Sequence, residues 1–593
     1  MELNEMHYIR LAAALQFPDR PSEPVQVTIE RLAGLLCCTP RNVKFILRRL
    51  EQKHLIEWSP GRGRGHASSL KFGCRLEDLL EERLLAMMDK GKVKEAMELI
   101  GCPDIGSPVK ERLWAAFNRQ MGLHSNPESP SRSDVLRMMR NRKLEKLDPA
   151  FVFTAFEAYL LSQVCSTLVV YDAETGGFTP GLAHHWEHHP DFTSWTFYLR
   201  KGVRFHHGRP LTSADVTATM DRLFRVGSSA LWQYRDVQRA EAVGEYAVRF
   251  DLKTPNRFFL HLTANLFLSI LPHDVEFAGV PVGTGPFRIA DLNGDCLMLE
   301  AFDGYYGYRP LLDRVEIWFF PERLSNDREY RLPEGEQEEL LPWSQYHSSI
   351  DYPALGSRYL MFNMRKPGIH QRMEIRQAFR ILYDRCALIR ELGGNRYRPA
   401  DSFLPWISQN SKFEEASLGE AAELLKRGKY RGEPLTLAYA FKKEEKEEAE
   451  WLLKRCKQAG VNLKLHPFLG HSDIRELAAT TDLLLAEEVL EDDWEWGIMN
   501  YYLNASNYLH LLMDDRTIGR LESVLAPAVA LDHRERQLCI QKAEEMVRGS
   551  CWLLYGCHLN KRASLSGGLH GQSAGAFGFL DISKLWVKQA GKV

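Results

Sequence analysis

The sequence predicts a multidomain protein in which a small α+β winged helix-turn-helix module precedes a much larger α/β body. The chain has 593 residues, more than one hydrophobic core usually serves. Residues 28–72 follow the order helix, turn, helix, strand, loop, strand, and beyond them short strands alternate with helices. We place the domains at 1–73 (winged helix), 74–133 (helical connector and linker) and 134–593 (body).

The helix-turn-helix pattern begins at Thr28, a suitable helix N-cap. Apolar residues recur at helical spacing from Ile29 to Leu36, which predicts a first helix with one buried face. Thr39 is predicted to cap a second helix with Pro40 at its first position, where a missing N–H costs nothing. A short helix, a tight turn and a second helix with a basic outer face are typical of insertion into the DNA major groove.

The second helix and the loop after it carry the candidate DNA contacts. Val43 and Leu47 face inward, and the basic side chains fall on the opposite face. The glycine-arginine loop between the two strands can reach phosphates or a narrow minor groove. A solvated basic helix and a flexible loop are the alternative, but the order of the parts favours DNA binding. The candidate DNA-binding residues are Thr39, Arg41, Asn42, Lys44, Phe45, Arg48, Arg49, Arg62, Arg64 and His66.

Charge is distributed unevenly along the chain. The whole sequence has a formal net charge of −2, whereas residues 1–72 hold 11 Lys+Arg and 7 Asp+Glu, a net of +4 that leaves −6 for the rest. A basic end on a mildly acidic body fits a DNA-binding module joined to a module with another task. The eleven cysteines include no Cys-x-x-Cys pair, which favours reduced thiols in a cytoplasm.

The first residues do not resemble an export signal. The segment MELNEMHYIRLAAALQFPDR contains acidic residues and has no long apolar core. No run of about 18 apolar residues occurs anywhere in the sequence, so no membrane span is expected. We therefore expect a cytoplasmic protein without a membrane partner.

The stretch after the wing is predicted to be helical. Leu76–Ile100 forms a long helix with a break at Gly91, Val109–Met121 forms a second helix, and residues 124–133 have the composition of a linker. An apolar stripe at helical spacing more often faces an intramolecular core than a dimer seam, so a homodimer is left open. The stripe consists of Leu79, Leu80, Leu84 and Met87.

A series of motifs follows in the body. Residues 195–215 read as a strand, a Lys201-Gly202 turn, a second strand and a capped helix. Later motifs are VGTGPF at 282–287, YYGYRPLLD at 305–313, YLMFN at 359–363 and IRQAFRILYDR at 375–385. In this order they resemble family 5 of the extracellular solute-binding proteins, the oligopeptide, dipeptide and nickel receptors of ABC importers. The resemblance implies a two-lobed α/β clamp of the periplasmic-binding-protein type, whose cleft takes a small solute.

A solute-binding body without an export signal, joined to a winged helix, resembles the SgrR-type transcriptional regulators. This resemblance implies a cytoplasmic sensor that binds double-stranded DNA and a solute such as a sugar phosphate or a peptide, and it implies no cofactor. One alternative is a transport receptor without a regulatory role, which would be secreted. Another is an enzyme on the clamp fold; no His-Glu-x-x-His motif or Walker loop supports one, so no enzyme is expected.

The candidate ligand contacts lie in LEDDWEW, residues 490–496. The receptors of the family hold peptide amino groups with an acidic residue that precedes a helix, and this segment is the nearest counterpart. Asp492 or Asp493 is expected to bind a cationic or hydroxyl group, with Trp494 or Trp496 as a stacking wall. The alternative is a solvated acidic turn followed by buried tryptophans.

Two further patterns are interpreted as structural. Gly283 and Gly285 are expected to permit a tight strand crossing, because no lysine follows and Pro286 lacks an N–H for a phosphate. The histidine pairs at 184–185, 188–189 and 206–207 have no accompanying cysteine or carboxylate cluster, so no metal is expected.

Overall fold

The chain is described by a computed structural model. It describes residues 3–15, 23–61, 68–90, 92–103, 105–125, 133–140, 144, 146–152, 154–319, 348–409, 411, 413, 417–440, 442–468, 474–565, 569–571 and 579–588. The chain divides into two compact units. The first comprises residues 1–145, 290–299 and 312–347, and the second comprises 146–289, 300–311 and 348–593. The domain boundaries at 73 and 133 stay a prediction.

The N-terminal part of the first unit is a winged helix-turn-helix, as predicted. Its three helices are Leu3–Leu15, Ile29–Leu35 and Pro40–Gln52. A three-stranded antiparallel sheet has the strand order Val25–Val27, Ser68–Phe72, Ile56–Ser59. Ser68–Phe72, the last of these three strands in chain order, is therefore the central one. It pairs with Ile56–Ser59 on one side and with Val25–Val27 on the other.

Both predicted N-caps begin their helices. The Thr28 hydroxyl accepts a hydrogen bond from the Arg31 amide at 3.2 Å, and the Thr39 hydroxyl accepts one from the Asn42 amide at 3.4 Å. These bonds satisfy amides that have no partner within a helix. Cys37 has a φ of 50°, and this left-handed residue turns the chain between the two helices.

The connector has three helices, where the sequence predicted two with a break. They span Leu76–Asp89, Val93–Ile100 and Ser107–Arg119, and the predicted break at Gly91 falls between the first two. In the apolar stripe, Leu80, Leu84 and Met87 are buried in the same core as the winged helix, and Leu79 is partly buried against it. The stripe faces an intramolecular core.

A five-stranded mixed sheet contributes to the first unit. Its strand order is Phe287–Leu292, Cys296–Ala301, Arg314–Phe319, Asp134–Arg140, Gly122–Ser125. Arg314–Phe319 pairs in parallel with Asp134–Arg140. Trp318 belongs to the same buried core as the winged helix and the connector, and its ring centroid lies 6.5 Å from that of Phe117.

The second unit contains two main sheets. A four-stranded antiparallel sheet has the order Val237–Gly244, Ala247–Leu252, Ser194–Leu199, Ala183–His188. A five-stranded mixed sheet has the order Leu463–Phe468, Leu435–Ala440, Leu483–Val489, Gly356–Phe362, Leu553–Tyr555. With the helices packed on them, these sheets form the two α/β lobes that the sequence motifs imply.

Further elements complete the described part of this unit. Its helices are Ala155–Val164, Ser213–Val226, Leu231–Tyr234, Phe259–Ala264, Met373–Leu382, Arg385–Leu392, Pro405–Ser408, Leu418–Arg427, Lys443–Gln458, Ile474–Thr480, Trp494–Leu503, Tyr508–Leu512, Asp515–Leu525 and His533–Gly549. Its smaller sheets consist of Val169–Asp172 with Gly177–Pro180, Ser348–Pro353 and Arg396–Pro399 with Cys557–Leu565, and Leu569–His570 with Trp586–Val587. None of the helices in the described ranges combines the length and apolarity that crossing a bilayer needs.

The two glycines of the VGTGPF motif lie against the end of helix Ala155–Val164. A Cβ atom on Gly283 would lie 1.9 Å from the carbonyl oxygen of Val164, and one on Gly285 would lie 2.5 Å from the Val164 carbonyl carbon. The Gly285 amide donates to the same carbonyl oxygen at 2.9 Å. No side chain fits at either position, which confirms the prediction of a close backbone crossing.

Candidate nucleic-acid interface and solute-binding cavity

The helix Pro40–Gln52 presents one apolar and one polar face. Its buried residues are Val43, Ile46, Leu47 and Leu50. The seven residues predicted to contact DNA from this helix and its cap are all exposed, namely Thr39, Arg41, Asn42, Lys44, Phe45, Arg48 and Arg49. Phe45 is 55% exposed, an unusual value for a phenylalanine that has no partner molecule to cover it. The exposed face offers cations, an amide and one aromatic ring.

The single carboxylate of this helix is turned away from that face. Glu51 accepts a hydrogen bond from the backbone amide of Trp58, at 2.9 Å from its Oε1 atom. Trp58 lies on the first strand of the hairpin, so the bond joins the helix to the wing. Because the acid is engaged there, the four basic residues of the helix dominate the charge of its exposed face.

The wing is described up to its tip. Ile56–Ser59 pairs with Ser68–Phe72, and the Gly61 amide donates to the Ser68 hydroxyl at 3.1 Å where the strands separate. The predicted contacts Arg62, Arg64 and His66 lie outside the described residues. The described strands of the wing therefore lie beside the basic helix in the same small module.

A cavity of about 280 Å³ lies in the second unit. Five separate stretches of chain form it: the end of helix Ala155–Val164 with the strand after it, residues 261–266, Pro286 of the VGTGPF motif, residues 305–306 of the YYGYRPLLD motif, and the acidic segment 491–493. The lining residues are Ser162, Cys165, Ser166, Thr167, Val170, Tyr171, His261, Ala264, Asn265, Leu266, Pro286, Tyr305, Tyr306, Glu491, Asp492 and Asp493.

Three consecutive carboxylates make one wall acidic. Burial, together with Asp493 and Asp492, raises the pKa of Glu491 well above its usual range, and the Asn265 amide donates to Glu491 at 3.4 Å. Asp492 is the most exposed of the three, yet burial still raises its pKa. Within the part of the chain that the structure describes, none of the lining residues is a lysine or arginine. A cationic group would relieve this unfavourable arrangement.

Asp493 is already engaged by protein groups. Its Oδ2 atom lies 2.7 Å from Nδ1 of His261, and its Oδ1 atom accepts the Trp496 amide at 3.3 Å. The second bond caps helix Trp494–Leu503 at its N-terminal end. Glu491 and Asp492 are therefore the carboxylates with capacity left for a solute.

Three tyrosines, Tyr171, Tyr305 and Tyr306, also line the cavity. The rings of Tyr305 and Tyr306 lie 4.8 Å apart between centroids, and the Arg200 guanidinium lies 5.8 Å from the Tyr306 ring. Burial, with the charges of Asp493 and Glu495, raises the pKa of Tyr171 to about 12. The hydroxyls therefore stay protonated, and the rings offer flat apolar faces beside the acidic wall.

The two tryptophans predicted as a stacking wall lie elsewhere. Trp496 is buried in the core, and its indole N–H donates to the side-chain oxygen of Gln233 at 3.0 Å. Trp494 is partly buried and packs edge-on against Trp406, with centroids 5.7 Å apart. Neither lines the cavity, whereas the predicted acids Asp492 and Asp493 both do.

The structure adds residues that sequence reasoning missed. Glu491 lies inside the segment LEDDWEW, and Tyr305 and Tyr306 lie inside the YYGYRPLLD motif. These two motifs could therefore have indicated them as lining residues. Tyr171 and His261 are more than 200 residues from the acidic segment and carry no local pattern. Among the described residues, no group of three His, Cys, Asp or Glu side chains is arranged to hold a metal ion.

Two family models match the chain. The model described as bacterial extracellular solute-binding proteins, family 5 middle, matches residues 177–510, which is more than half of the chain. The model described as the N-terminal domain of sugar transport-related sRNA regulators matches residues 4–120. The second match spans the winged helix and most of the connector.

Curated relatives match much of the chain. The chain is 31% identical over 500 residues to the uncharacterized protein YhjP of Bacillus subtilis (strain 168), which covers 83% of each chain. It is 27% identical over 413 residues to the HTH-type transcriptional regulator SgrR of Pectobacterium atrosepticum, covering 68% of this chain and 69% of the relative. SgrR of Escherichia coli (strain K12) is 28% identical over 347 residues, covering 57% and 58%.

Solved structures show the same fold at lower identity. A dipeptide-binding protein from Pseudoalteromonas sp. SM9913, in complex with Met-Leu, has a TM-score of 0.66 and 19% identity, and covers 77% of this chain and 100% of its own. DppA from Helicobacter pylori, in complex with the peptide STSA, has a TM-score of 0.64 and 21% identity, covering 77% and 98%.

Fold and sites together define a solute-binding protein that carries its own winged helix. Its body has the two α/β lobes of the binding proteins, and its N-terminal module has the exposed basic helix of a transcription factor. The chain belongs to family 5 of the bacterial extracellular solute-binding proteins and, through its N-terminal domain, to the SgrR-type transcriptional regulators.

Proposed function

We propose that the protein regulates transcription by binding double-stranded DNA through helix Pro40–Gln52 and the wing, and that a small solute in the cavity adjusts this binding. The observation that carries the proposal is the presence in one chain of an exposed basic helix in a winged helix-turn-helix and of a charged cavity in the solute-binding fold. A solute changes DNA binding only if it binds the DNA-competent and DNA-incompetent arrangements with different affinity.

We assign some residues of the helix to base edges and others to phosphates. Asn42 and Arg48 are the candidates for base edges, because Asn pairs bidentately with adenine and Arg with guanine. Arg41, Lys44 and Arg49 bind phosphates, as do Arg62 and Arg64 of the wing, and they fix the position of the module on the duplex. Thr39, Phe45 and His66 complete the surface, and the exposed Phe45 ring packs against sugar or a thymine methyl group.

The cavity binds a solute with a cationic group, such as the amino group of a peptide. Glu491 and Asp492 receive this group, and Tyr171, Tyr305 and Tyr306 hold the apolar part of the solute. A sugar phosphate suits the cavity poorly, because its dianion would face three carboxylates without a lysine or arginine in the described lining. A peptide-like solute is thus preferred over a sugar phosphate.

The proposal includes the setting of the protein. It acts in the cytoplasm, where its DNA is, and it binds its solute without converting it. A dimer would double the contact with DNA, since one winged helix with a net charge of +4 in residues 1–72 makes few phosphate contacts.

The DNA half is tested by a footprint and a salt series on DNA upstream of the protein's own gene. Replacing Arg41 and Arg49 by Ala is expected to lower affinity and to reduce the salt slope by about 2, one for each lost phosphate contact. Arg239→Ala is the control, because Arg239 is an exposed arginine paired with Glu241 in the second unit. Lack of protection by the parent protein at physiological salt would contradict the proposal.

The solute half is tested by native mass spectrometry of protein purified from its host. A retained small molecule with a basic group, recovered unchanged after prolonged incubation, is the expected result. Recovery of a phosphorylated sugar would refute the solute class, and recovery of a chemically altered molecule would refute binding without conversion.

A further inference from the structure

Two segments of the second unit meet at the start of helix Trp494–Leu503. Residues 146–289 supply one side and residues 348–593 supply the other. Besides the Trp496 bond to Gln233, the indole N–H of Trp232 donates to the Asn500 side chain at 3.4 Å. This contact between residues 146–289 and residues 348–593, the seam, therefore combines neutral hydrogen bonds with the acidic wall of the cavity.

His261 makes the charged contact in this seam. Its ring is buried in the cavity wall, with Nδ1 at 2.7 Å from Asp493 Oδ2 and Nε2 at 3.8 Å from Glu495 Oε2. The imidazole comes from the first segment and both carboxylates come from the second. Hydrogen bonds to charged groups are about twice as strong as neutral ones, so this contact is stronger than the neutral bonds of Trp496 and Trp232 across the seam.

The ring of His261 is fixed in place by its neighbours. It stacks on Phe258 with centroids 4.1 Å apart and an interplanar angle of 18°, and Phe178 meets it edge-on at 4.8 Å. The guanidinium of Arg536 lies 4.7 Å from the ring of Phe258, and its Nε donates to Glu495 at 2.9 Å. Because packing sets the ring, the hydrogen bond to Asp493 needs no further ordering of the side chain.

We propose that His261 and Asp493 form a latch that holds the two segments together around the cavity, so that His261 is a positioning residue for solute binding. The latch stabilises the arrangement in which Tyr171 and the acidic wall line one cavity, and the apparent affinity for a solute falls with the population of that arrangement. The effect on solute binding rests on the function proposed above, whereas the latch itself is measurable in protein free of solute.

The test is hydrogen exchange of the solute-free full chain. His261→Phe keeps the stack on Phe258 but removes the N–H, and is expected to speed exchange in Trp494–Leu503 and Phe259–Ala264 by roughly tenfold or more. His261→Asn retains a donor near the position of Nδ1 and is expected to restore much of the protection. Asp493→Asn, which keeps the helix cap, is a second variant should His261→Phe fold poorly.

The matched control is His189→Phe. His189 lies 2.6 Å from Asp191 in a similar histidine–carboxylate pair, but both residues belong to one exposed turn of the first segment. This variant is expected to leave seam exchange unchanged, and strand Leu483–Val489 reports any global loss of stability. Unchanged seam exchange in His261→Phe, or equal opening in His261→Phe and His261→Asn, would overturn the latch.

Solute retention separates the two proposals. In native mass spectrometry of host-purified protein, His261→Phe is expected to retain roughly tenfold less solute than the parent, in proportion to the lost closed population. If the parent retains nothing while seam exchange still responds to His261→Phe, the solute proposal fails and the latch stands. If retention is equal in both proteins while the seam opens, the positioning role fails.

Discussion

The basic helix and the acidic cavity differ in how the chain builds them. Helix Pro40–Gln52 is one stretch of 13 residues whose function-bearing face follows from its own periodicity. The cavity draws its lining from five stretches that span residues 162–493. The geometry of a contiguous site depends only on the folding of its own module. The geometry of an assembled site depends on every packing contact that brings its stretches together.

The two regions also differ in the sign of their charge. Four basic residues face outward from the helix, and three consecutive carboxylates face the cavity. If the protein binds DNA and a cationic solute as proposed, the acidic cavity would disfavour phosphates and the basic helix would disfavour the solute. Opposite charge would then keep the two proposed ligands from competing for the same surface.

Neutralising the acidic wall is expected to have the largest effect. Replacing Glu491 by Gln and Asp492 by Asn should lower affinity for the solute recovered from the host by roughly 100-fold, because both carboxylate contacts to the cationic group are lost. DNA affinity in the absence of solute should stay unchanged. Isothermal titration and mobility-shift assays measure the two quantities.

The control for this double variant is Glu450→Gln, an exposed glutamate on helix Lys443–Gln458. An equal loss of DNA affinity in the cavity variant would show that the two regions are not chemically separate. Unchanged solute affinity would remove Glu491 and Asp492 from the site.

Glu487 and Glu488, shortly before the acidic segment in the chain, predict a pH-dependent stability for the second unit. Burial and the charge of Glu487 raise the pKa of Glu488 to about 8, from an ordinary value of 4.5. Burial would also raise the pKa of Glu487, but Lys561 and Arg358 lower it to about 2. Since Glu488 has the higher pKa when folded, its contribution to the free energy of unfolding decreases as pH rises from 4.5 to 8.

Glu488→Gln is therefore expected to raise the free energy of unfolding at pH 8 by roughly 3 kcal/mol relative to the parent, and to change it little below pH 4.5. Urea denaturation across this pH range measures the difference. Glu450→Gln again serves as the exposed control. A constant offset at every pH would show that packing, and not ionisation of Glu488, causes the effect.

The smallest expected effect concerns the local order of the DNA-binding module. Thr39→Ala removes the hydroxyl that caps helix Pro40–Gln52 and should lower the stability of the winged helix by about 1 kcal/mol. Chemical denaturation followed by hydrogen exchange of this helix measures the loss. Thr39→Ser is the matched control, because serine caps as well as threonine does, and equal destabilisation by both variants would contradict a capping role.

Sequence reasoning predicted the winged helix well because its signals are local. Thr28 and Thr39 cap the helices where expected, and Val43 and Leu47 are buried as the periodicity predicts. The short strands of the body and the close crossing at Gly283 followed from ordered motifs. In each of these cases the residues that carry the sequence signal lie within a few positions of one another.

The solute cavity was predicted only in part, for the opposite reason. The acidic segment was recognisable because it precedes a helix start, but the pairing of Asp493 with His261 joins residues 232 positions apart. Tryptophans were expected in the cavity, but Trp496 is used for the core, where its large apolar surface and its bond to Gln233 are both satisfied. Tyr305 and Tyr306, whose YYGYRPLLD motif carried no expectation of a ligand contact, line the cavity.

The buried position of Trp318 shows how the connector and the receptor-like sequence share a core. Trp318 lies on strand Arg314–Phe319, within the stretch that matches the solute-binding family, yet it is buried with Phe117 of the connector. A binding protein cut free at residue 133 would expose this indole and the apolar surface around it to water. Joining the two parts therefore needs a matching apolar surface as well as a linker, and residues 134–593 expressed alone are expected to need polar replacements around Trp318.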